Sequence, residues 1–139
     1  MAHIKQLEPQ FSWDDNTPLT QGVQVGNLIY LSGQVALDKQ GNIVGKGDLV
    51  AQTRQCFENI RDVLQLAGAS LTDIVKLTTY FTVDIADPAT TRAYWNVREE
   101  FLGSHKPAST GVRVHSLIYR ELLLEIEAVA VLPSNRPCQ

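Results

Sequence analysis

The sequence predicts an α+β fold, a mostly antiparallel sheet of five or six strands with two helices on one face. Three observations lead there. Residues 48–68 and 87–103 repeat their apolar side chains at helical spacing. The segments around them alternate with period two or are rich in β-branched and aromatic residues. With 139 residues the chain is large enough for one core, so residues 1–139 are read as a single domain. Two helices cover only one side of such a sheet.

Taken in order, the chain opens with a short edge strand, followed by irregular chain through Asp14-Asp15-Asn16-Thr17-Pro18. Gln21-Gly22-Val23-Gln24-Val25 alternates, and Gly26-Asn27 reads as a tight turn into Leu28-Ile29-Tyr30-Leu31-Ser32-Gly33-Gln34-Val35. Gly33, inside that strand, marks a bulge or a close approach of backbone. Asp38-Lys39-Gln40-Gly41-Asn42 is a second turn, before a short strand at Ile43-Val44. Asp48 is an N-cap, and Gly68 suits the left-handed position past the helix end. Val50, Thr53, Phe57, Ile60, Leu64 and Ala67 form the apolar stripe between them. A long strand covers residues 74–83. Asp87-Pro88, an N-cap followed by proline at the first helical position, starts the second helix, whose stripe contains Tyr94, Val97 and Phe101. Two strands close the chain, around residues 106–115 and 124–131, and Ser134-Asn135-Arg136-Pro137 is a frayed tail.

The last two strands carry the candidate chemistry. Ser109, Gly111, Arg113 and His115 share one side of the first, with Ala108, Thr110, Val112 and Val114 on the other. In the second, Leu124, Ile126, Ala128 and Ala130 form an apolar side and Glu125 and Glu127 look away from it. Two carboxylates about 6.6 Å apart divide acid and base roles if burial separates their pKa values. A hairpin centred near Tyr119 would set Arg113 opposite Glu125, to pair with it or to grip a substrate carboxylate. Tyr30, Tyr80, Val129 and Val131 make the uncovered face more apolar than water favours, so association of copies with cyclic symmetry is expected.

Several classes fall away. A net charge of −3 with scattered Lys and Arg does not suit a nucleic-acid surface. No apolar run approaches the roughly 20 residues of a membrane helix. The first six residues lack the apolar core of a secretory signal, and a cytoplasmic location is expected. Cys56 and Cys138 are read as reduced thiols. His3, His105 and His115 lack paired ligand spacing, so no metal is expected. The Gly41–Gly47 segment has the wrong spacing for a phosphate loop, and Ser109 and His115 stand about 20 Å apart along their strand, too far for a triad.

The runs Gln21-Gly22-Val23-Gln24-Val25-Gly26-Asn27-Leu28-Ile29-Tyr30-Leu31-Ser32-Gly33-Gln34, Asp73-Ile74-Val75-Lys76-Leu77-Thr78, Lys106-Pro107-Ala108-Ser109-Thr110 and Glu125-Ile126-Glu127-Ala128-Val129-Ala130 resemble, in order and spacing, the Rid family of enamine/imine deaminases. The resemblance implies a chorismate-mutase-like subunit, a homotrimer with clefts between subunits, and cofactor-free hydrolysis of 2-enamino or 2-imino acids to 2-keto acids and ammonia. It implies Glu125 as the catalytic carboxylate, with Gly33 and Thr110 as matching cleft residues, Thr110 as a hydroxyl replacing Ser. The chain departs from the pattern at three places. Ser109 stands where the family has its carboxylate-gripping Arg, Gly111 where it has Cys, and Leu19 where it has Tyr. Losing a bidentate Arg–carboxylate contact lowers binding on the order of a hundredfold. The Ser109 and Thr110 hydroxyls, or Arg113 in place of the lost Arg, are then expected to hold the substrate carboxylate. The alternatives are a non-catalytic trimer that binds a small metabolite, or a deaminase for a larger unsaturated amine.

Overall fold

The structure is a computed structural model and describes residues 3–11 and 16–133. The irregular chain expected at Asp14–Asp15, the frayed tail and Cys138 lie outside those residues. Six strands and two helices follow in the order β1 (Ile4–Leu7), β2 (Gly22–Val25), β3 (Leu28–Leu31), α1 (Leu49–Gln65), β4 (Ile74–Phe81), α2 (Pro88–Leu102), β5 (Ala108–Arg113) and β6 (Leu124–Val131). They form one sheet in the order β1-β2-β3-β6-β4-β5.

Local chemistry sets most of these elements. Gly26, at φ 59°, takes the left-handed position that the two-residue loop between β2 and β3 requires. The Asp48 carboxylate accepts the Ala51 N–H (3.1 Å) at the start of α1, and Asp87 accepts the Thr90 N–H (3.2 Å) at the start of α2. Pro88 occupies the first turn of α2 as expected. The segment at Ile43 makes one bridge to Leu37 rather than a strand. The long strand expected through Val35 stops at Leu31 and resumes as a single bridge at Gln34.

The expected hairpin between the last two strands is not formed. β4, α2 and β5 make a parallel crossover unit, which puts β5 at the sheet edge beside β4. The opposite edge of β4 is then open, and β6 fills it antiparallel, between β4 and β3. Both topologies satisfy the same alternation of side chains, so the pattern alone does not separate them.

Both helices lie on one side. Phe57, Ile60 and Leu64 of α1 are buried with Ile29, Leu77, Leu124, Ile126 and Ala130 of the sheet. Phe101 of α2 stacks on Phe57 at 5.3 Å, and Tyr94 meets Phe81 edge-on at 5.0 Å. Two buried amides tie loops to α1. Gln52 donates to the Gly45 and Glu121 carbonyls (3.0 and 2.9 Å) and accepts the Leu123 N–H (2.8 Å). Asn59 donates to the carbonyls of Val35 and Leu37, each at 3.0 Å. Among the described residues no helix covers the far side of the sheet, where Leu28, Tyr30 and Val112 are 38%, 46% and 39% exposed.

Candidate functional site

β6 alternates strictly, so Glu125 and Glu127 emerge on the bare side of the sheet while Leu124, Ile126 and Ala128 enter the core. Across β4 they face Tyr80 and Thr78 respectively. Between the pairs Tyr30–Val129 and Gln34–Ile126, β6 supplies Glu127 and Ala128, whereas the opposing chain supplies Leu31, Ser32 and Gly33. That extra residue is a bulge, and it swings the Gly33 backbone over the Glu125 carboxyl. A Cβ placed on Gly33 would lie 2.2 Å from Glu125 Oε2. Gly33 is absent from the left-handed region, so glycine here answers to space rather than to backbone angle.

The two carboxylates have different surroundings. The Tyr80 hydroxyl donates to Glu127 Oε1 at 2.6 Å. That bond to a carboxylate holds the phenol above its usual pKa. Glu125 is half-buried, and desolvation, helped by the neighbouring charge of Glu127, raises its pKa. Leu19, 53% exposed, stands one residue from Thr20, whose carbonyl accepts the Ser32 hydroxyl at 2.6 Å. Leu19, Gly33 and Glu125 thus belong to one end of the sheet.

The β5 residues form a second group. Parallel pairing sets Ser109, Gly111 and Arg113 beside Leu77, Thr79 and Phe81, on the helix side of the sheet. Thr110 turns to the bare side, where Lys76 Nζ donates to its hydroxyl at 2.6 Å. Arg113 is therefore on the opposite side from Glu125 and separated from it by β4. Its carboxylate partner is Asp84, at 3.8 Å on an exposed surface. The cross-strand Arg113–Glu125 pair expected from a hairpin does not exist because that hairpin does not.

Under α2 a cavity of about 270 Å³ opens onto Ser109 and Gly111, with Phe81, Ile85, Tyr94 and Trp95 as its walls. Into it reaches Arg98, only 7% exposed. Its Nη1 donates to Ser109 Oγ (2.8 Å) and to the Tyr94 hydroxyl (3.3 Å), and its guanidinium lies 4.9 Å from the centre of the Trp95 ring. Among the described residues no carboxylate pairs with it. Sequence reading missed Arg98 and Trp95, and took Tyr80 only as part of the bare apolar face. A signal for Arg98 existed: it sits at i+4 from Tyr94 and next to Val97, inside the buried stripe of α2.

Other ionisable groups lie apart. His105 Nε2 contacts the Ile74 carbonyl at 2.7 Å, and His115 is exposed. Cys56 is buried, which pushes its thiol pKa up and leaves it a packing residue. The described residues contain no group of three His, Cys, Asp or Glu able to hold a metal, and no helix among them is long and apolar enough to cross a membrane.

Comparison with known proteins places this geometry among relatives. The family model described as endoribonuclease L-PSP matches residues 12–132. A RutC family protein of Pyrococcus abyssi is 40% identical over 113 residues, 81% of this chain and 85% of its own length. The 2-iminobutanoate/2-iminopropanoate deaminase of Escherichia coli K12 is 39% identical over 118 residues, 82% of this chain and 87% of that protein. Among solved structures, the YjgF gene product of E. coli superposes with a TM-score of 0.78 at 32% identity, covering 91% of this chain and 98% of its own.

Proposed function

The chain belongs to the endoribonuclease L-PSP family, the Rid family its sequence resembles, and from that premise we propose that it is a cofactor-free hydrolytic deaminase of enamine/imine intermediates. The observation that carries this reading is the Glu125 carboxyl, half-buried against the Gly33 backbone with its pKa raised. A carboxylate moved toward neutral pH by burial is a better general base for water. The named activity of the 39%-identical E. coli relative supports the same chemistry.

In the proposed reaction the enamine first tautomerises to the imine. Water, oriented and deprotonated by Glu125, adds to the imine carbon, and the proton passes to the nitrogen. Collapse of the resulting carbinolamine breaks the C–N bond, releasing ammonia and leaving the carbonyl product. In this reading backbone N–H groups near Gly33 and Gly111 stabilise developing charge, and Gly111 presents no side chain to the cavity it lines.

On one chain the two halves point to opposite sides of the sheet: Gly33 and Glu125 on the bare side, Ser109 and Gly111 on the helix side. A complete cleft follows if one copy brings its Glu125 half against the cavity of the next. The bare apolar face supports such association, and the homotrimer of the family pattern satisfies it with three equivalent clefts. Ammonia release from freshly generated 2-iminopropanoate and from a phenyl-substituted 2-imino acid is the direct test. Acceleration by the wild type and its loss in Glu125→Gln are expected. An unaccelerated reaction with every imine tried would leave the non-catalytic binding protein as the better reading.

A further inference from the structure

We propose that Arg98 is the anion-gripping group of the α2–β5 cavity and that the cavity takes a carboxylate carrying an apolar, planar side chain. A buried guanidinium without a counter-charge is expensive, and proteins retain one where an anion arrives to pair with it. Arg98 is 7% exposed, and its partners among the described residues, Ser109 Oγ and the Tyr94 hydroxyl, are both neutral. Both contacts go to Nη1, so the remaining N–H groups of the planar fork are left for a ligand. The Trp95 ring, its centre 4.9 Å away, holds the guanidinium in a cation–π contact that helps preorganise it.

The position is informative as well. Arg98 brings its guanidinium to within 2.8 Å of Ser109 Oγ, and both residues line the cavity. The positive charge of the cavity is thus supplied from α2. Approach from this direction leaves Phe81, Ile85 and Trp95 as the walls, which suits an aliphatic or aromatic substituent better than a methyl group. A volume of about 270 Å³ admits one ring and its carboxylate, near the lower end of small-molecule sites at about 300 Å³. The inference rests on the deaminase reading for the 2-oxo or 2-imino character of the ligand, whereas the grip on the carboxylate stands apart from it.

Calorimetric titration of the full chain with phenylpyruvate and with its methyl ester tests the proposal. The acid is expected to bind at least about tenfold more tightly than the ester. Arg98→Met should bring the acid down to the affinity of the ester, and Arg98→Lys, a point charge without the fork, should fall between them. Equal binding of acid and ester by the wild type, absence of acid binding at millimolar concentration, or a folded Arg98→Met protein that binds the acid as the wild type does would overturn it. The acid–ester comparison needs no variant, so it decides the matter even if Arg98→Met fails to fold. Turnover separates the two readings. Hydrolysis that needs Glu125 beside binding indifferent to Arg98 removes only the anchor, and Arg98-dependent binding without hydrolysis of any imine removes only the deaminase.

Discussion

Gly33→Ala isolates the contact on which the proposed chemistry depends. The added Cβ would lie 2.2 Å from Glu125 Oε2, 2.7 Å from Cδ and 2.9 Å from Cγ. Ordinary contact starts at 3.4 Å, so the carboxyl oxygen must retreat from 2.2 Å by about 1.2 Å. The backbone has no reason to object, because Gly33 is not in the left-handed region. Alanine there changes stability by only about 1 kcal/mol, in the favourable direction through the unfolded chain. A catalytic group misplaced by about 1 Å commonly loses on the order of a hundredfold in rate. The variant is therefore expected to keep its thermal midpoint within a few degrees while kcat for imine hydrolysis drops about a hundredfold. Glu125, turned toward water, also loses part of its desolvation, so the acid limb of its rate profile moves to lower pH. Undiminished kcat in a well-folded Gly33→Ala protein would refute the assignment of Glu125 as the base positioned by this glycine.

Three further outcomes follow from the structure. Because the folded state raises the pKa of Glu125, it binds the proton more tightly than the unfolded chain does, and stability declines as pH rises through the window between the ordinary glutamate pKa and the raised one. Glu125→Gln should accordingly raise the melting temperature at neutral pH, with the gain vanishing in acid below the ordinary glutamate range, as differential scanning calorimetry across pH will read. Gln52→Ala removes three hydrogen bonds that tie Gly45 and residues 121–123 to α1, and should cost about 2–4 kcal/mol in urea unfolding. Tyr30→Glu puts a charge in the bare apolar face; multi-angle light scattering should show the wild type as a closed oligomer and the variant as smaller species, whereas a monomeric wild type would undo the shared-cleft reading.

The legible parts of this chain are those whose causes are local. Asp48 and Asp87 announce their helices because a cap works within one turn. Gly33 announces a bulge because nothing larger tolerates a neighbouring strand's carboxyl at that distance. Alternation along β6 correctly separates Leu124 and Ile126 from Glu125 and Glu127. What escaped is non-local. Alternation says that Ser109 and Arg113 share a side of β5, but which side depends on β4 standing next to it, and that neighbour is chosen by the passage of α2 over the sheet. A hairpin and a crossover give one sequence pattern and opposite sites. The buried amides of the core, Gln52 and Asn59, were invisible for a different reason: hydropathy discounts amides, although an amide is what satisfies the carbonyls of a loop packed on a helix.

Arg98 brings both limits together. It is charged, so a hydropathy stripe passes over it, and its partner Ser109 lies eleven residues on, in a different element. The Rid-family resemblance implies a guanidinium at residue 109, where this chain carries Ser109. The folded chain places one 2.8 Å from that same hydroxyl oxygen. Carboxylate recognition depends on where the planar fork ends up and on what holds it there, not on which backbone position carries it. A strand without an arginine in its site therefore does not by itself predict a site without one, and in this chain the guanidinium beside Ser109 comes from α2. The exchange also has a consequence for selectivity. The Arg98 guanidinium lies alongside Trp95 and Tyr94, so an anion held in the proposed grip would lie against aromatic walls, where an apolar substituent gains contact and a small polar one gains little.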